Sequence, residues 1–348
     1  MKIILAMTQA LFIKGGAEFL AINLKASLLN AGHDVEIVNI PMMDVPIESV
    51  ENHIVAVRLL EIERTWTGSS DLCIALKFPA YYIRHSNKVV WALHQYRAAY
   101  DLWDTEFTDM HIQPEGKRIR SIINNADNLY LREAKRIYTI SNNVTNRMKK
   151  FNLLNSTCIY HPCPDMQKFY CGEYCDYILM PSRINATKRQ WLAVEAMRHT
   201  KSKIKLYIVG KADNVILSDD IKQFVKNLKL EDRVSFYDHV SQDEKFKLYA
   251  NARAVLFIPY DEDYGYITLE GMSASKPIIT TTDSGGPLEF VENGQSGIVI
   301  DPTPIEIARA IDELAESKSF ARELGMKAKK HISDMNITWE NVVKELTK

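Results

Sequence analysis

Two glutamates, Glu262 and Glu270, lie in an E-x7-E spacing within Asp261 to Pro287, DEDYGYITLEGMSASKPIITTTDSGGP. An apolar run, Val255 to Ile258, leads through Pro259 and Tyr260 into an acidic loop, then Gly265, then a helix starting near Tyr266. Carboxylates accept hydrogen bonds from sugar hydroxyls and repel phosphate. The first amides of a helix favour an anion such as a diphosphate. In a parallel α/β sheet, ligands sit beyond the carboxyl ends of the strands. The combination predicts a ligand that carries both phosphates and sugars. Arg183 and Lys188, in PSRINATKR, stand five apart across a second loop and can reach one anion. A cation close to a diphosphate is worth about 4 kcal/mol at an effective dielectric near 20. The same residues also suit an exposed basic loop.

Two further groups belong to the first half. Lys14-Gly15-Gly16-Ala17-Glu18 follows the first apolar run, where glycines let the backbone approach a ligand or make a tight turn. It is not G-x-G-x-x-G, so it does not point to a nicotinamide cofactor. His94 ends the apolar stretch Val89 to Leu93, a position for a functional or a capping histidine. Tyr96, Arg97, Tyr100 and Asp101 follow it, in a stretch whose rings suit a carbohydrate face as well as ordinary packing.

The elements that would position these groups alternate between strand and helix periodicity. Ile3 to Ala6 is a buried-strand run, and Ala17 to Asn30 is helical through Phe19, Ile22, Leu24 and Leu28. Gly32 stands at the helix end and Val35 to Ile40 reads as the next strand. This βαβ order implies a parallel sheet. Further strands are expected at Leu72 to Leu76, Lys88 to Leu93 and Arg136 to Ile140, and Ser141 caps a following helix. Pro162 and Pro164 suit an extended connector. The pattern then restarts, with strands at Tyr177 to Met180, Lys205 to Val209, Val234 to Tyr237, Ala254 to Ile258, Pro277 to Thr281 and Ile298 to Ile300.

Composition sets outer bounds. The 348 residues suggest two domains, and a net charge of −1 calls for no nucleic-acid partner. No apolar stretch approaches the roughly 18 residues of a membrane span, so a cytoplasmic protein is expected. Five cysteines, Cys73, Cys158, Cys163, Cys171 and Cys175, give C-x4-C and C-x3-C spacings rather than zinc knuckles, and no metal is expected. Lys117 to Lys150 is a basic run: a solvated face, or a peripheral contact with anionic lipid at the inner face of a membrane.

The E-x7-E segment, with Tyr264-Gly265, Leu269-Glu270-Gly271-Met272, Ser275-Lys276-Pro277 and Gly285-Gly286-Pro287, resembles retaining glycosyltransferases of family 4. The bacterial surface-polysaccharide members are the type it suggests. The resemblance implies an α/β, GT-B fold: two Rossmann-like, doubly wound parallel-sheet domains facing across a cleft. They would span residues 1–167, with a returning helix at 337–348, and 168–336. It implies that Glu262 and His94 attend the donor sugar and that Glu270 holds the ribose. Arg183, Lys188 and Thr268 would meet the phosphates, while Tyr264 and the amides of Gly265, Tyr266 and Ile267 line the sugar. Gly15 and Gly16 would face the donor phosphates, Gly210 the nucleotide, and the loop of His239 and Val240 the base. The family usually has glycine where Asp238 stands.

The expected reaction moves a hexose from a nucleotide-diphosphate sugar to a hydroxyl of a glycan or lipid-linked acceptor, with retention and without a metal. Two alternatives keep the fold: a nucleotide-sugar epimerase, and a non-catalytic carbohydrate-binding subunit.

Overall fold

The computed structural model describes residues 1–12 and 15–348. Lys14, in the first glycine motif, lies outside the described residues. The chain divides into two units, 1–164 with 338–348, and 165–337.

The first unit is built on a six-stranded sheet: β1 (Lys2–Gln9), β2 (Asp34–Pro41), β3 (Leu72–Ala75), β4 (Lys88–Ala92), β5 (Arg136–Thr139) and β6 (Thr157–Cys158). Its order is β2-β1-β3-β4-β5-β6 and every pairing is parallel. The interior strands are buried on both faces, as β4 is throughout, which is why they read as continuous apolar runs. Helix α1 (Gly16–Asn30) buries Leu20, Ala21, Leu24 and Leu28. Phe19 and Ile22, expected on that stripe, are exposed. At 100° per residue the i, i+4, i+8 series from Leu20 defines the inward face, and those two fall nearly opposite it. Gly32, with φ +84°, takes the left-handed turn after the helix.

Helix α2 (Ser49–Leu59) and helix α3 (Gly116–Tyr130) cover the sheet where the sequence pattern was weakest. The basic run is partly an amphipathic helix, with Ile119, Ile123 and Ala126 buried. Several of its cations are committed within the unit. Arg118 pairs with Glu51, Arg120 lies over the Trp103 ring, Arg132 donates to the Asn152 carbonyl and Arg147 is buried. Ser141 accepts from the Val144 amide and caps α4 (Asn142–Asn152).

The second unit repeats the theme with β7 (Tyr177–Pro181), β8 (Lys205–Val209), β9 (Val234–Tyr237), β10 (Ala254–Leu256), β11 (Ile278–Thr281) and β12 (Gly297–Ile300). Their order is β9-β8-β7-β10-β11-β12, again all parallel. Helices α5 (Gln190–His199), α6 (Val215–Asn227), α7 (Gln242–Asn251), α8 (Tyr266–Ser273), α9 (Pro304–Glu316) and α10 (Lys318–Asp334) complete it. Helix α11 (Trp339–Leu346) belongs to the first unit. There Trp339 stacks on His161 at 5.9 Å between ring centroids, and Tyr138 donates to the Glu345 carbonyl.

Each sheet has one point where the strand order reverses: between β1 and β3 in the first, and between β7 and β10 in the second. The loops leaving the carboxyl ends on either side must diverge there, which opens a crevice.

Candidate functional site

At the crevice of the second unit, β7 leads into the loop of Arg183 and Lys188, and β10 into the loop of Glu262. The loop after β11 closes against them. Backbone bonds tie the three together: Tyr260 amide to Thr187 carbonyl at 2.7 Å, Glu262 amide to Ser284 carbonyl at 2.8 Å, and Gly286 amide to Glu262 carbonyl at 2.7 Å. Arg189 adds a bidentate clamp on Asp283, at 3.0 and 2.6 Å. Burial works to raise the Asp283 carboxyl, and the bonds from Arg189 and Thr281 outweigh it, so it sits below its usual range. Left-handed backbone recurs here, at Arg189, Asp261, Gly265 and Gly285. Such conformations persist only where surrounding contacts over-determine them, and they collect at functional sites.

The side chains expected to carry the chemistry are brought together in part. Lys188 and Glu262 form an ion pair, with side chains 17% and 19% exposed. Arg183 turns the other way, is largely exposed and pairs with Asp213 at 3.2 Å. Arg183 and Lys188 thus carry separate carboxylate partners. Glu270 is buried, and its two oxygens are taken by different groups of α7: Lys245 Nζ donates to Oε1 at 2.6 Å and Tyr249 Oη to Oε2 at 2.5 Å. A carboxylate buried so deeply is tolerable because both oxygens are paired. Neither Lys245 nor Tyr249 was singled out in the sequence. Their i, i+4 spacing places them on one helix face, which is the signal that was available.

Helix α8 begins at Gly265, which has no side chain to cap the first turn and a φ of +89°. Tyr266 and Ile267 are partly exposed at that end. Thr268 is fully buried, and its amide donates to the Gly265 carbonyl. Tyr264 is also buried, with its ring edge-on against Phe290 at 5.3 Å. Gly210 is required by the sheet itself, since a Cβ there would lie 2.4 Å from the Ser182 carbonyl oxygen. His239 is exposed and Val240 partly exposed in the loop after β9.

In the first unit, the amide expected to face donor phosphates is already occupied: Gly15 donates to Glu18 Oε2 at 2.7 Å, a bond that caps α1. A carboxylate at that helix end disfavours a second anion there. Gly16 is the first residue of α1 and is exposed. His94 lies at the carboxyl end of β4 and lines a 230 Å³ pocket with Thr8, Met42, Asp44, Phe78 and Tyr96. This pocket sits at the reversal between β1 and β3. His94 Nδ1 is 2.6 Å from the Gln95 carbonyl. Of the residues after His94, Tyr96 reaches the pocket. Tyr100 instead donates to the buried Asp127 at 2.6 Å, and Arg97 pairs with Asp101. Among the described residues, no group of three or more His, Cys, Asp or Glu is arranged to hold a metal, and no helix is long and apolar enough to cross a membrane.

The fold and this arrangement of loops define a GT-B protein. Residues 173–331 match the family Glycosyl transferases group 1. An alpha-1,3/1,6-mannosyltransferase of Dictyostelium discoideum is 30% identical over 141 residues, covering 38% of this chain and 33% of that protein. The chain therefore spans about a third of the length of that relative. Sucrose-phosphate synthase from Thermosynechococcus elongatus superposes with a TM-score of 0.81 at 16% identity, over 99% of this chain and 97% of that one. The Anabaena protein HepE, solved with UDP and glucose, superposes with a TM-score of 0.72 at 17% identity, over 100% and 98%.

Proposed function

We propose that this protein is a retaining glycosyltransferase that moves a hexose from a nucleotide-diphosphate sugar to a hydroxyl of a glycan or lipid-linked acceptor. The observation that carries the reading is the convergence of Lys188, Glu262 and the start of α8 at the strand reversal of a group 1 unit. Lys188 and Arg183 supply positive charge for a departing diphosphate, and the uncapped turn at Gly265 supplies amides. Glu262 accepts hydroxyls of the transferred sugar, and Glu270, held by Lys245 and Tyr249, accepts those of the ribose. His94 offers a ring nitrogen to a sugar hydroxyl. These groups stabilise a leaving diphosphate by fixed charge, so no cofactor or metal enters the proposal. HepE was solved with UDP-glucose, which supports a nucleotide-sugar donor.

The acceptor is proposed to be of the surface-polysaccharide kind, reached from the inner side of a membrane. Lys135, Lys149 and Lys150 are exposed cations of the basic run; Leu129 within it and Leu153 just beyond it are exposed apolar residues. They supply a face for anionic lipid.

A thermal-shift series with UDP, GDP, ADP, dTDP and their sugars tests the donor. A ligand at 100 times its dissociation constant adds about 2.7 kcal/mol of stability, so the matching nucleotide raises the melting temperature of the protein selectively. Absence of a shift with every nucleotide would favour a non-catalytic carbohydrate-binding subunit. Donor isomerisation without acceptor would favour an epimerase. An α-linked product from an α-linked donor, read by NMR, is expected; a β-linked product overturns retention.

A further inference from the structure

We propose that the first unit carries an anion site at the amino ends of β5 and β6, on the side of the sheet opposite its crevice, and that this site takes a phosphate-bearing ligand. The inference goes beyond the transfer reading and does not depend on it. It is carried by an opening in the sheet edge and by cations there that no carboxylate offsets.

The edge strand β6 pairs only with Tyr138 and Thr139 of β5. Alongside Arg136 and Ile137, where β5 begins, the sheet has no strand on that side, because the chain at 153–156 has left α4 and has not yet entered β6. The gap is a cavity of 590 Å³, lined by residues 132, 134–138 and 154–157. Sites for small ligands run from roughly 300 to 1,000 Å³. Every strand of this sheet is parallel, so the cavity lies at the end away from the loops that open the crevice.

The charge around the cavity is of one sign. Arg132, Lys135 and Arg136 line it, and no carboxylate does. The acidic residue of this stretch, Glu133, is taken elsewhere: it accepts from Arg58 at 2.7 and 3.0 Å and from Lys88 at 3.4 Å. Arg132 is held by two backbone carbonyls, with Nε donating to Asn128 at 3.1 Å and Nη2 to Asn152 at 3.0 Å. Carbonyls orient a guanidinium without cancelling its charge, and the other N–H groups of the fork stay available. Among the described residues, the side chains of Lys135 and Arg136 form no hydrogen bond or ion pair.

Like charges gathered without a counter-charge repel one another, and a bound anion relieves that repulsion. Several cations on one cavity favour a dianion over a monoanion, and guanidinium groups match the oxygens of phosphate in geometry as well as charge. Neutral donors complete the lining. Asn155 and Thr157 belong to it. Ser156 also lines it, and its hydroxyl is shielded from solvent with no partner among the described residues. Buried polar groups are nearly always paired, and a hydroxyl turns about one bond, so a phosphate oxygen in the cavity would satisfy it.

Methyl NMR on the full chain, labelled at the isoleucine δ-methyl groups, tests this, because Ile137 lines the cavity. Inorganic pyrophosphate is the probe, and sodium chloride at the same ionic strength is the control. A saturable shift of the Ile137 methyl is expected with pyrophosphate and none with chloride. The shift should persist in Lys188→Ala, which removes a cation from the crevice of the second unit. The dissociation constant should rise at least tenfold in the double variant Lys135→Gln, Arg136→Gln. The proposal is overturned if pyrophosphate gives no shift, if chloride reproduces it, if Lys188→Ala abolishes it, or if the double variant binds like the wild type. The comparison of the two salts uses the wild-type chain alone, so it stands even where a variant fails to fold. Flotation with vesicles of phosphatidylglycerol and phosphatidylcholine then names the source of the phosphate. Vesicle binding that the double variant loses identifies a lipid headgroup. Pyrophosphate binding with no vesicle binding, or with vesicle binding that the double variant keeps, identifies a soluble phosphorylated ligand.

Discussion

Lys188 and Glu262 neutralise each other, and this gives the two glutamates of E-x7-E different expected phenotypes. Replacing Glu262 with alanine removes a contact proposed for the transferred sugar and at the same time releases Lys188 for a diphosphate. Nucleotide-diphosphate affinity should hold or rise in Glu262→Ala while turnover falls at least 100-fold, as an oxyanion-type contact does. Glu270→Ala should lose nucleotide affinity itself. Tyr249→Phe tests the support of Glu270: it removes one hydrogen bond to a buried carboxylate, worth about 1.5–3 kcal/mol. Calorimetric titration should show nucleotide binding about tenfold weaker in Tyr249→Phe. Equal loss of binding in the Glu262 and Glu270 variants would remove the division of labour. The glutamates themselves were legible from their spacing, because a strand, a glycine loop and a helix start around them are local features. Their partners were not, because Lys245 and Tyr249 reach Glu270 from another helix, 25 and 21 positions away in sequence, which only packing brings close.

At the scale of elements, the short helix α8 has to start beside the Glu262 loop and lie close on the sheet. Two glycines permit this. At Gly271 a Cβ would lie 2.6 Å from Ile278 Cδ1, so the missing side chain sets how closely the helix approaches β11. At Gly265 a Cβ would meet Phe257 at 2.8 Å and Pro287 at 3.1 Å, in left-handed backbone. The left-handed conformation alone costs a non-glycine residue roughly 1–2 kcal/mol. For a unit of 150–250 residues, about 1 kcal/mol moves the melting temperature by roughly 2–4 °C. Gly265→Ala should therefore lower the calorimetric melting temperature of the second unit by at least about 2 °C. An unchanged transition would show that the loop adapts and that the glycine serves only ligand access. The need for a glycine was readable from its place between strand and helix. The reason, a phenylalanine just past the preceding strand and a proline from the next loop, was not.

At the scale of the whole molecule, the two units repeat one architecture and are stabilised separately. The first contains a fully buried carboxylate, Asp127, which accepts from Tyr82 and Tyr100, each at 2.6 Å. Burial raises its pKa to about 6, against the opposing effect of those tyrosine bonds. The folded state therefore binds a proton that the unfolded state releases between about pH 4 and 6, so stability from this group falls as pH rises through that window. The expected size is on the order of 2–3 kcal/mol. Other carboxylates titrate there as well, so the comparison is with Asp127→Asn, of equal size. The melting temperature of the wild type minus that of Asp127→Asn should decline from pH 4 to pH 6 and then level off. A flat difference would place the proton elsewhere. Nothing in the sequence marked Asp127, which looks like one charge within a basic helix; burial by three separate elements makes it distinctive.

The sequence by itself determined the parallel α/β class and the restart of the pattern after Pro164. These are set by periodicity, turn chemistry and short spacings, which act over a few residues. Only the tertiary structure decided which charges meet. It paired Lys188 with Glu262 and sent Arg183 to Asp213, buried Tyr264 and Thr268, closed Glu18 onto the Gly15 amide, and gathered Asp44, His94 and Tyr96 around one pocket. Contacts of that kind depend on strand order and on the reversal points of the two sheets. Strand order is a property of the packed whole, because each strand chooses its neighbour by the apolar surface the pair can bury together.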